Sequence, residues 1–336
     1  MMKTRKLARW VTAVSLALAA IIAATSVGCQ APGGIAQIQF ISGSPTGSWF
    51  PVAAAVADLT NALYEGHPIS VIPGAGGVGN PLRVGSGQSD IGLSYGPFLS
   101  LAREGGNEIY QKAYPNLRAV SAMITNKLHL IASGDSDDSG LARLTSEKPR
   151  LRVGTGPVGS AELFVFGEVL KRYGASYDDI EHWGGRVDRV NTGGRSDAWR
   201  NRQLDLVSFF INDPAPRIIE LLSARHSSRL VNLDEHVRQG LAGDLGMLDL
   251  RIPADRYPNQ HEDVRTVGMP LVVFTTTELD ADIVYNLTRV IAENRERLVA
   301  AHSAFQDWEP EDMLHGVGIA FHEGAERYYR ERGWIE

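Results

Sequence analysis

Residues 43–51 read Gly-Ser-Pro-Thr-Gly-Ser-Trp-Phe-Pro, and this stretch decides the fold of the chain. It follows an apolar, strand-like run over residues 35–41 and precedes a segment, residues 52–63, whose apolar positions recur with helical spacing. Ser48 is a suitable N-cap for that helix, and Pro51 is tolerated in its first turn. A strand that leads through a glycine-rich turn into a helix leaves unpaired backbone N–H groups at the positive end of the helix dipole. The stretch therefore predicts a βα unit that can hold an anion.

Two aromatic residues, Trp49 and Phe50, stand at the start of this helix, where a loop is normally polar. They favour a ligand pocket over the alternative, which is an ordinary βα turn. A second unit of the same kind follows about 110 residues later, with a strand at 151–153, a glycine loop at 154–160 and a helix from residue 163. Alternating strands and helices predict an α/β fold with two mostly parallel sheets, whose loops at the carboxyl ends of the strands face a shared crevice.

The remaining elements are predicted from runs of apolar residues and from helical spacing. Strands are predicted at 69–72, 90–95, 117–123, 128–132, 180–183, 204–211, 229–233 and 267–275. Helices are predicted at 98–102, 280–301 and 323–332, and a polar break at 134–140. No short-period repeat interrupts this alternation.

The N-terminus predicts export. Four basic residues precede an apolar run at 11–24, and the segment Ser26-Val27-Gly28-Cys29 follows it. This order is that of a signal peptide, because the apolar run is too short and wrongly flanked for a membrane span. The only cysteine of the chain closes the segment, as in a bacterial lipoprotein, in which it is lipidated and becomes the mature N-terminus. Ser26 departs from the usual leucine, and the alternative is an ordinary cleaved signal with an incidental cysteine.

We therefore assign residues 1–28 to a lipoprotein signal peptide and residues 29–36 to a short tether. Removal of the signal takes away four of the 33 basic residues and none of the 39 acidic ones, so the net charge of −6 becomes about −10. This charge argues against nucleic acid and against an anionic membrane surface as partners. Since no second cysteine exists to form an intramolecular disulfide, stability must come from burial of a core, for which about 300 residues suffice.

Two segments match the dinucleotide-binding pattern G-x-G-x-x-G, at 74–79 and at 154–159. The first is flanked by Pro73 and Pro81 and has no predicted helix after it. The second joins a strand to a helix, but the next predicted strand does not end in the acidic residue that holds a ribose. We therefore expect no dinucleotide and no other cofactor. The helix start at Gly159-Ser160-Ala161 predicts binding of an anion by backbone N–H groups instead.

Other catalytic motifs are incomplete. Residues 322–326 begin like the zinc motif H-E-x-x-H but have glutamate in place of the second histidine, so no metal site is expected. No G-x-S-x-G segment is present, and Ser160 has no evident histidine base. Asp213, which closes the strand predicted at 204–211 and precedes Pro214, fits either a ligand acceptor or a turn.

Several motifs, in order and spacing, resemble those of the TAXI family, the extracytoplasmic solute receptors of one class of TRAP (tripartite ATP-independent periplasmic) transporters. The resemblance spans residues 37–333. It rests on the following segments: Gly43-Ser44-x-x-Gly47-x-Trp49-Phe50-Pro51, Pro73-Gly74-x-Gly76-Gly77-Val78-x-Asn80, Gly85-x-Gly87-Gln88-x-Asp90-Ile91, Leu128-His129-Leu130, Gly154-x-Gly156-Pro157-x-Gly159-Ser160, Asp205 before Pro214, and Phe321-His322-Glu323-Gly324-Ala325-x-x-Tyr328-Tyr329-x-Glu331-x-Gly333. Two segments depart from the family. It often has paired tyrosines where Trp49-Phe50 stand, and serine–aspartate where Ser94-Tyr95 stand.

The resemblance implies a two-lobed periplasmic binding protein fold, type II-like, in which each lobe is a mostly parallel sheet flanked by helices and the ligand lies in the interlobe cleft. Residues 37–124 are expected to form the first segment of lobe 1 and residues 125–265 to form lobe 2. Residues 266–336 are expected to form the return crossover and the C-terminal helices. The lobes of such proteins close over the solute by a hinge motion.

The resemblance also implies a set of solute-binding residues. Lobe 1 is expected to contribute polar loop residues, namely Ser44, Thr46, Gly47, Ser48, Gly76, Gly77, Asn80 and Ser94. An apolar or stacking wall is expected from Trp49, Phe50 and Tyr95. Lobe 2 is expected to contribute backbone donors at Gly159, Ser160 and Ala161, with Asn212 and Asp213 on the rim.

The expected function is that of a solute receptor in the periplasm or cell envelope, lipid-anchored through Cys29 and monomeric. Because known TAXI members bind carboxylates such as glutamate, we expect a small organic anion as the solute, delivered to the membrane permease of a TRAP transporter. An enzyme is not expected, since the sequence has no evident nucleophile–base pair. The alternatives are an exported hydrolase that uses Ser160 or Asp213, and a sensor protein that presents its ligand-bound form to a membrane kinase.

Overall fold

The computed structural model describes residues 36–134, 141–224 and 227–336. The predicted signal peptide, Cys29, nearly all of the tether and most of the polar break at 134–140 lie outside the described residues. Residues Gln37–Glu336 form one compact unit.

Ten strands and twelve α-helices alternate along the described chain. The strands are β1 Ile38–Ile41, β2 Ile69–Ile72, β3 Ile91–Tyr95, β4 Leu117–Ala132, β5 Arg152–Thr155, β6 Arg186–Arg189, β7 Leu206–Ile211, β8 Arg229–Leu230, β9 Leu248–Ile252 and β10 Val264–Thr276. The helices are α1 Trp49–Asn61, α2 Asn80–Gly85, α3 Gly96–Glu104, α4 Leu144–Glu147, α5 Ala161–Arg172, α6 Tyr177–His182, α7 Thr192–Arg200, α8 Pro216–Ala224, α9 Glu235–Leu245, α10 Ala281–Glu293, α11 Arg295–Ala301 and α12 Glu323–Glu331. Short 3-10 turns lie at Ser303–Asp307 and Pro310–Leu314.

The strands pair in one continuous ladder, in the order β2-β1-β3-β10-β4-β7-β5-β6. Three strands at one end are parallel (β2, β1 and β3), and three at the other end are also parallel (β7, β5 and β6). Each set is the centre of an α/β lobe, so the predicted two-lobed α/β fold is confirmed. The antiparallel strands β4 and β10 lie between the two sets, which makes the predicted pair of sheets continuous in hydrogen bonding.

Strands β4 and β10 are long because each serves both halves of the ladder. Along β4, residues up to Lys127 pair with β10, and residues from Lys127 onward pair with β7. Along β10, residues 264–268 pair with β9, and residues 271–274 pair with β3. The two strands therefore change partners at the same level, where Lys127 lies opposite Gly268.

The inner strands β3 and β7 are buried at every position, as expected for strands covered by helices on both faces. Helix α1 begins at Trp49, directly after the opening glycine turn, and buries Val52, Val56 and the residues beside them. Ser48 precedes this helix but accepts no hydrogen bond from it, so the predicted side-chain cap is wrong. The backbone turn itself brings the start of α1 to the carboxyl end of β1.

Several predicted elements differ in the structure. The strands predicted at 117–123 and 128–132 are one continuous strand, β4. Residues 180–183, predicted as a strand, belong to helix α6 and its C-cap, where Ser176 caps the helix and Ile180 is buried. The strand of this unit is β6, which is missed because three of its four residues are charged. A six-residue helix, α2, does follow the first glycine-rich motif, and Pro81 is accommodated in its first turn. The predicted helix at 280–301 is two helices, which meet at Asn294.

Within the described residues, no helix is long and apolar enough to cross a membrane.

Candidate functional site

The candidate site is a cavity between the carboxyl ends of the two parallel strand sets. Loops that follow β1 and β2, together with the end of β3, form one side of it. Loops that follow β5 and β6, together with the end of β7, form the other side. Ligands of open α/β sheets bind at this edge, because the loops there point into the crevice. The crevice predicted from the alternation of strands and helices is therefore present.

The structure brings nine of the predicted site residues to this cavity. They are Ser44, Gly47, Ser48, Trp49, Gly76, Gly77, Tyr95, Ser160 and Ala161. The cavity has a volume of about 90 Å³. It is smaller than the roughly 150 Å³ that accommodates benzene in a protein core, so a larger solute requires the lobes to separate.

The two glycine loops touch each other across the cleft. The carbonyl oxygen of Gly159 accepts hydrogen bonds from the backbone N–H groups of Val78 and Gly79, at 3.1 and 3.0 Å. Gly76 has a φ of +105°, and a side chain at this position would meet the Cα atom of Ser160 at 3.2 Å. Glycine is needed here both for the backbone conformation and for the close approach. The lobes are therefore in contact, and the structure represents a closed form.

Thr46, another predicted site residue, lies at this contact and does not line the cavity. Its Oγ1 atom accepts a hydrogen bond from the backbone N–H of Gly193 at 3.3 Å, and its carbonyl oxygen accepts one from Arg217 at 3.5 Å. Both partners belong to the opposite lobe. Thr46 therefore joins the lobes in the closed form.

The start of helix α5 supplies two free backbone donors, of which Ala161 was predicted and Glu162 was not. The N–H of Ser160 donates to the carbonyl oxygen of Pro157 at 3.0 Å, and Gly159 contributes its carbonyl to the interlobe contact. The Oγ atom of Ser160 caps the helix by accepting from the N–H of Leu163. Ala161 and Glu162 line the cavity, and their N–H groups have no acceptor among the described residues. Of the predicted donors, Ser160 is therefore used within the loop and Ala161 is free, and Glu162 adds a free donor that was not predicted.

A buried ion pair in the wall of the cavity was not predicted from the sequence. Arg195 on helix α7 is fully buried, and its Nη2 atom lies 3.1 Å from Oε1 of Glu162 at the start of α5. Its Nη1 atom donates to the carbonyl oxygen of Val190, and its guanidinium lies 4.7 Å from the ring centroid of Phe209. The Nε atom has no hydrogen-bond partner among the described residues.

The charge of this guanidinium is held in an environment of low polarity. Burial lowers the pKa of Arg195, and the carboxylate of Glu162 opposes that effect. The group stays protonated, since an arginine side chain is not deprotonated in proteins. Gly156 leaves room for the guanidinium, because a side chain there would lie 3.0 Å from Nη1 of Arg195 and still closer to Ser160. The lack of a side chain at Gly156 is thus what allows the Arg195 guanidinium to lie here.

Aromatic residues form the apolar side of the cavity. Tyr95, at the end of β3, packs edge to face against Trp49, with 5.2 Å between ring centroids, and against Phe210 of the other lobe, with 5.1 Å. Burial, and secondarily Glu162, raise the pKa of Tyr95 well above its usual value, so the hydroxyl is protonated. Phe50, predicted as part of this wall, does not line the cavity.

Asn80 and Ser94, two predicted ligand contacts, hold the loops instead. The Nδ2 atom of Asn80 donates to the carbonyl oxygens of Ser42 and Leu93, at 2.7 and 2.8 Å, and its Oδ1 accepts from the N–H of Gly76. Ser94 donates to the carbonyl oxygen of Gly77 at 2.5 Å. Both side chains are fully buried, so they shape the site without lining it.

Asn212 and Asp213, predicted on the rim, lie in a different cavity. This second cavity, of about 420 Å³, is bounded by β4, β10 and the turns near residues 304–316. Asp213 forms an ion pair with Lys127 at 2.8 Å, and its side chain is almost fully buried. Its role in the structure is therefore to neutralise a charge beside the strands that cross between the lobes.

The residues missed by sequence reasoning come mainly from one unit. They are Glu162, Asn191, Thr192, Arg195, Phe209, Phe210 and Ile211, in addition to four residues of the glycine loops, Gly43, Gly74, Ala75 and Pro157. Asn191 caps helix α7 by accepting from the N–H of Gly194 at 2.9 Å, and Arg195 is one turn further on. Recognition of β6 as a strand would have placed this cap at the carboxyl edge of the sheet. The apolar end of β7 gave no sign of facing a cavity.

Within the described residues, no group of three or more histidine, cysteine, aspartate or glutamate side chains could hold a metal ion. The hydroxyl of Ser160 is engaged as a helix cap, and no histidine lines the cavity. The polar groups that line it are hydroxyls, one amide, two free backbone N–H groups and one ion pair. Such a set of convergent polar groups can orient a small polar or charged molecule.

Two α/β lobes joined by crossing strands, with the strand carboxyl ends facing one cleft, are the fold of the periplasmic binding proteins. The chain belongs to the NMT1-like family, whose model matches residues 40–333.

Solved structures of this class share the fold at low sequence identity. The periplasmic binding protein BugD is 14% identical over 90% of this chain and 99% of its own, with a TM-score of 0.52. MatC from Rhodopseudomonas palustris, solved with bound malate, is 13% identical over 88% of this chain and 98% of its own, with a TM-score of 0.54.

Proposed function

We propose that this protein is an extracytoplasmic solute receptor that captures a small organic anion, most simply a carboxylate, and delivers it to a TRAP-type membrane permease. The observation that carries the proposal is the convergence of cationic and backbone donors on one closed cavity. Arg195 and the free N–H groups of Ala161 and Glu162 all line it. Charge-assisted hydrogen bonds from such donors are about twice as strong as neutral ones.

The anion is expected on lobe 2, where the donors lie. The guanidinium of Arg195 presents a planar set of N–H groups that matches the two oxygens of a carboxylate. The start of helix α5 adds two N–H groups and the positive end of its dipole. The carboxylate of Glu162 is a counter-charge for Arg195 in the empty site and a partner for a cationic group on the solute. The affinities of dicarboxylates, keto acids, amino acids and sulfonates should therefore be compared with one another.

The lobes would then close over the solute at a wider separation than in the form described here, because the cavity of this form, about 90 Å³, is too small for it. The contact between Gly159 and the loop at 78–79, together with the bond from Gly193 to Thr46, holds the cleft shut. We place the hinge where β4 and β10 change partners, at Lys127 and Gly268. This position agrees with lobe boundaries near residues 125 and 266. Hinges of two-lobed receptors absorb such motion in a few residues.

The cellular role follows from the same proposal. A signal peptide and Cys29 would export the protein and tether it by lipid in the periplasm or cell envelope, as a monomer. The motif resemblance to TAXI receptors favours a TRAP permease as the partner that accepts the solute. Catalysis is not part of the proposal, since no nucleophile–base pair lies in the part of the cavity that the structure describes.

A thermal-shift screen of the mature protein tests this function. The candidates are succinate, L-malate, 2-oxoglutarate, L-glutamate and taurine, with glucose as a neutral control. A ligand that binds only the folded state raises the melting temperature by mass action. Saturable stabilisation by an organic anion, confirmed by calorimetric titration at 1:1 stoichiometry, supports the proposal. Stabilisation by the neutral sugar alone, or chemical conversion of a bound anion, would overturn it.

A further inference from the structure

Tyr95 occupies a central position between the two lobes. It ends strand β3 of lobe 1, lines the cavity, and packs against Phe210 of lobe 2. Only 1% of its surface is exposed. Its ring is close enough to the loop at residue 77 that a side chain there would meet it at 2.8 Å, so Gly77 is needed. Contacts with Phe210 and with the loop at residue 77 therefore fix the position of the Tyr95 side chain.

The hydroxyl of Tyr95 accepts a hydrogen bond and has a proton left to donate. The Nδ2 atom of Asn126 donates to this oxygen at 2.8 Å. A phenol has a single proton, and no described residue accepts it. A buried hydroxyl proton without an acceptor costs free energy unless a ligand supplies one.

Asn126 is in turn placed by the strands that cross between the lobes. It lies on β4 opposite Met269 of β10, directly before Lys127, where the pairing of β4 changes. The residue is fully buried, and its Oδ1 atom has no hydrogen-bond partner among the described residues. The bond from Nδ2 to Tyr95 is therefore the only side-chain hydrogen bond that orients this amide within the described chain.

We propose that the Tyr95 hydroxyl donates a hydrogen bond to the solute from lobe 1, and that Asn126 is the positioning residue that makes it a donor. This inference rests on the proposed function and adds a requirement to it. The anionic end of the solute lies on Arg195 and helix α5, and a second acceptor oxygen meets Tyr95. A solute with oxygens at both ends bridges the lobes, whereas a monocarboxylate with an alkyl end leaves the Tyr95 proton unpaired.

Calorimetric titration with two matched probes tests the donor role. Succinate and butyrate have four carbons each and differ by one carboxylate. The wild type should prefer succinate, and Tyr95→Phe should reduce that preference by about 10-fold or more by weakening succinate binding. The control is Tyr329→Phe, which removes a buried hydroxyl bonded to the carbonyl of Val120 outside the cavity. It should leave both affinities unchanged. An unchanged succinate-to-butyrate ratio in Tyr95→Phe would overturn the proposal.

A double-mutant cycle tests the positioning role of Asn126. In Asn126→Asp an ionised carboxylate accepts the Tyr95 proton, so the hydroxyl presents only acceptors to the cavity and succinate binding weakens. In the Tyr95→Phe background the same substitution should have little further effect, and a purely structural role would instead give additive losses. Asn126→Gln retains the amide donor, so it should bind succinate more tightly than Asn126→Asp does.

Neutron diffraction from the deuterated, unliganded protein gives a test that needs no solute. A Tyr95 deuteron directed into the cavity supports the inference. A deuteron directed at Asn126 Oδ1, with the amide rotated, overturns it even if the protein proves to be an anion receptor. Failure of every organic anion in the thermal-shift screen would instead remove the proposed function, so the two failures are distinguishable.

Discussion

The Nη2 atom of Arg195 lies 3.1 Å from Oε1 of Glu162, and both side chains line the cavity between the lobes. The arginine side chain is 1% exposed and the glutamate 19%, so water screens this pair only weakly. A negatively charged solute must share the guanidinium with Glu162. The charge pattern of the solute therefore decides whether Glu162 opposes or assists its binding.

Neutralisation of Glu162 should reveal that pattern. In Glu162→Gln, Arg195 loses its competing carboxylate, so succinate should bind about 10-fold more tightly, whereas L-glutamate should lose the contact to its ammonium group and bind more weakly. In Arg195→Lys the planar donor set is lost, and both anions should bind at least about 10-fold more weakly. Calorimetric titration measures all of these affinities.

Arg186→Lys is the matched control, because Arg186 forms its ion pair with Asp188 outside the cavity. Its affinity for either anion should equal that of the wild type. If Arg195→Lys behaves like this control, the guanidinium does not hold the anion.

Proline at position 161 should remove one solute donor while the fold is kept. Ala161 is the first residue of α5, where proline is tolerated, and Ser160 before it has φ −82° and ψ 149°, which suits a residue that precedes proline. Loss of one charge-assisted bond of about 1.5–3 kcal/mol should weaken anion binding by about 10- to 100-fold. Calorimetric titration measures the affinity, and circular dichroism checks the fold.

Ser160→Ala provides the contrast at the neighbouring position. It removes the helix cap and should cost about 1 kcal/mol of unfolding free energy. It leaves the N–H groups of Ala161 and Glu162 in place, so its effect on affinity should be small. Equal affinities of Ala161→Pro and the wild type would show that the helix start does not contact the anion.

Removal of Lys127 should destabilise the protein without a comparable loss of solute affinity. The Asp213 side chain is 6% exposed and would lose its partner at 2.8 Å, while Arg256 lies further away at 3.9 Å. Breaking a buried pair on one side costs about 3 kcal/mol or more. Urea denaturation of Lys127→Met should show this loss of unfolding free energy. A variant that breaks the exposed pair of Arg330 and Glu326 should lose less than about 1 kcal/mol. Equal losses for the two pairs would contradict the assignment.

Acid should destabilise the fold through His129. Burial lowers the pKa of this residue to about 4, from about 6.5 in the unfolded chain, and its Nε2 atom lies 2.9 Å from the hydroxyl of Tyr257. The unfolded state therefore binds more protons between these values. The contribution of His129 is complete above about pH 6.5 and is lost as the pH falls towards 4, a change of about 3 kcal/mol.

The measurement is the unfolding free energy of the wild type and of His129→Gln between pH 4 and pH 8. The difference between the two proteins should shrink towards acid pH, and this comparison cancels the titration of the other groups. A difference that is constant with pH would mean that His129 does not titrate as expected.

Cys29 is expected to attach the mature protein to the membrane. Cys29→Ser should move the protein from the membrane fraction to the soluble fraction of the cell envelope, because a serine side chain cannot form the thioether to lipid. Mass spectrometry of the wild type should find an acylated N-terminal cysteine. Cleavage at another residue with no acyl chain would refute the lipoprotein assignment.

The sequence predicted the architecture and the edge of the sheet at which the site lies. Strand, glycine turn and helix follow one another within residues 38–61 and again within 152–172, and these local patterns depend on neighbours in the chain. The predicted loops at residues 43–51, 74–77 and 157–161 do meet in the structure. Strands β3 and β7 were likewise predicted, at residues 90–95 and 204–211, and the structure buries both of them throughout.

The identity of the polar contacts was decided by tertiary structure. Asn80 and Asp213 have residue types common in binding sites, but their partners, Ser42 and Lys127, are 38 and 86 residues away in the chain. Arg195 is on a helix whose preceding strand, β6, carries three charged residues in four and resembles a loop. A sequence gives the donors and acceptors, whereas their pairing depends on which loops the fold brings together.

The sequence by itself therefore determined that this chain forms two α/β lobes with glycine-rich loops at one crevice, because backbone conformation and burial follow local pattern. Only the tertiary structure decided that Arg195 and Glu162 line the cavity while Asn80, Ser94 and Asp213 are used within the protein. The physical reason is the cost of burial. Inside a protein each polar group must find a partner, and the partner that is available depends on contacts between residues far apart in the chain.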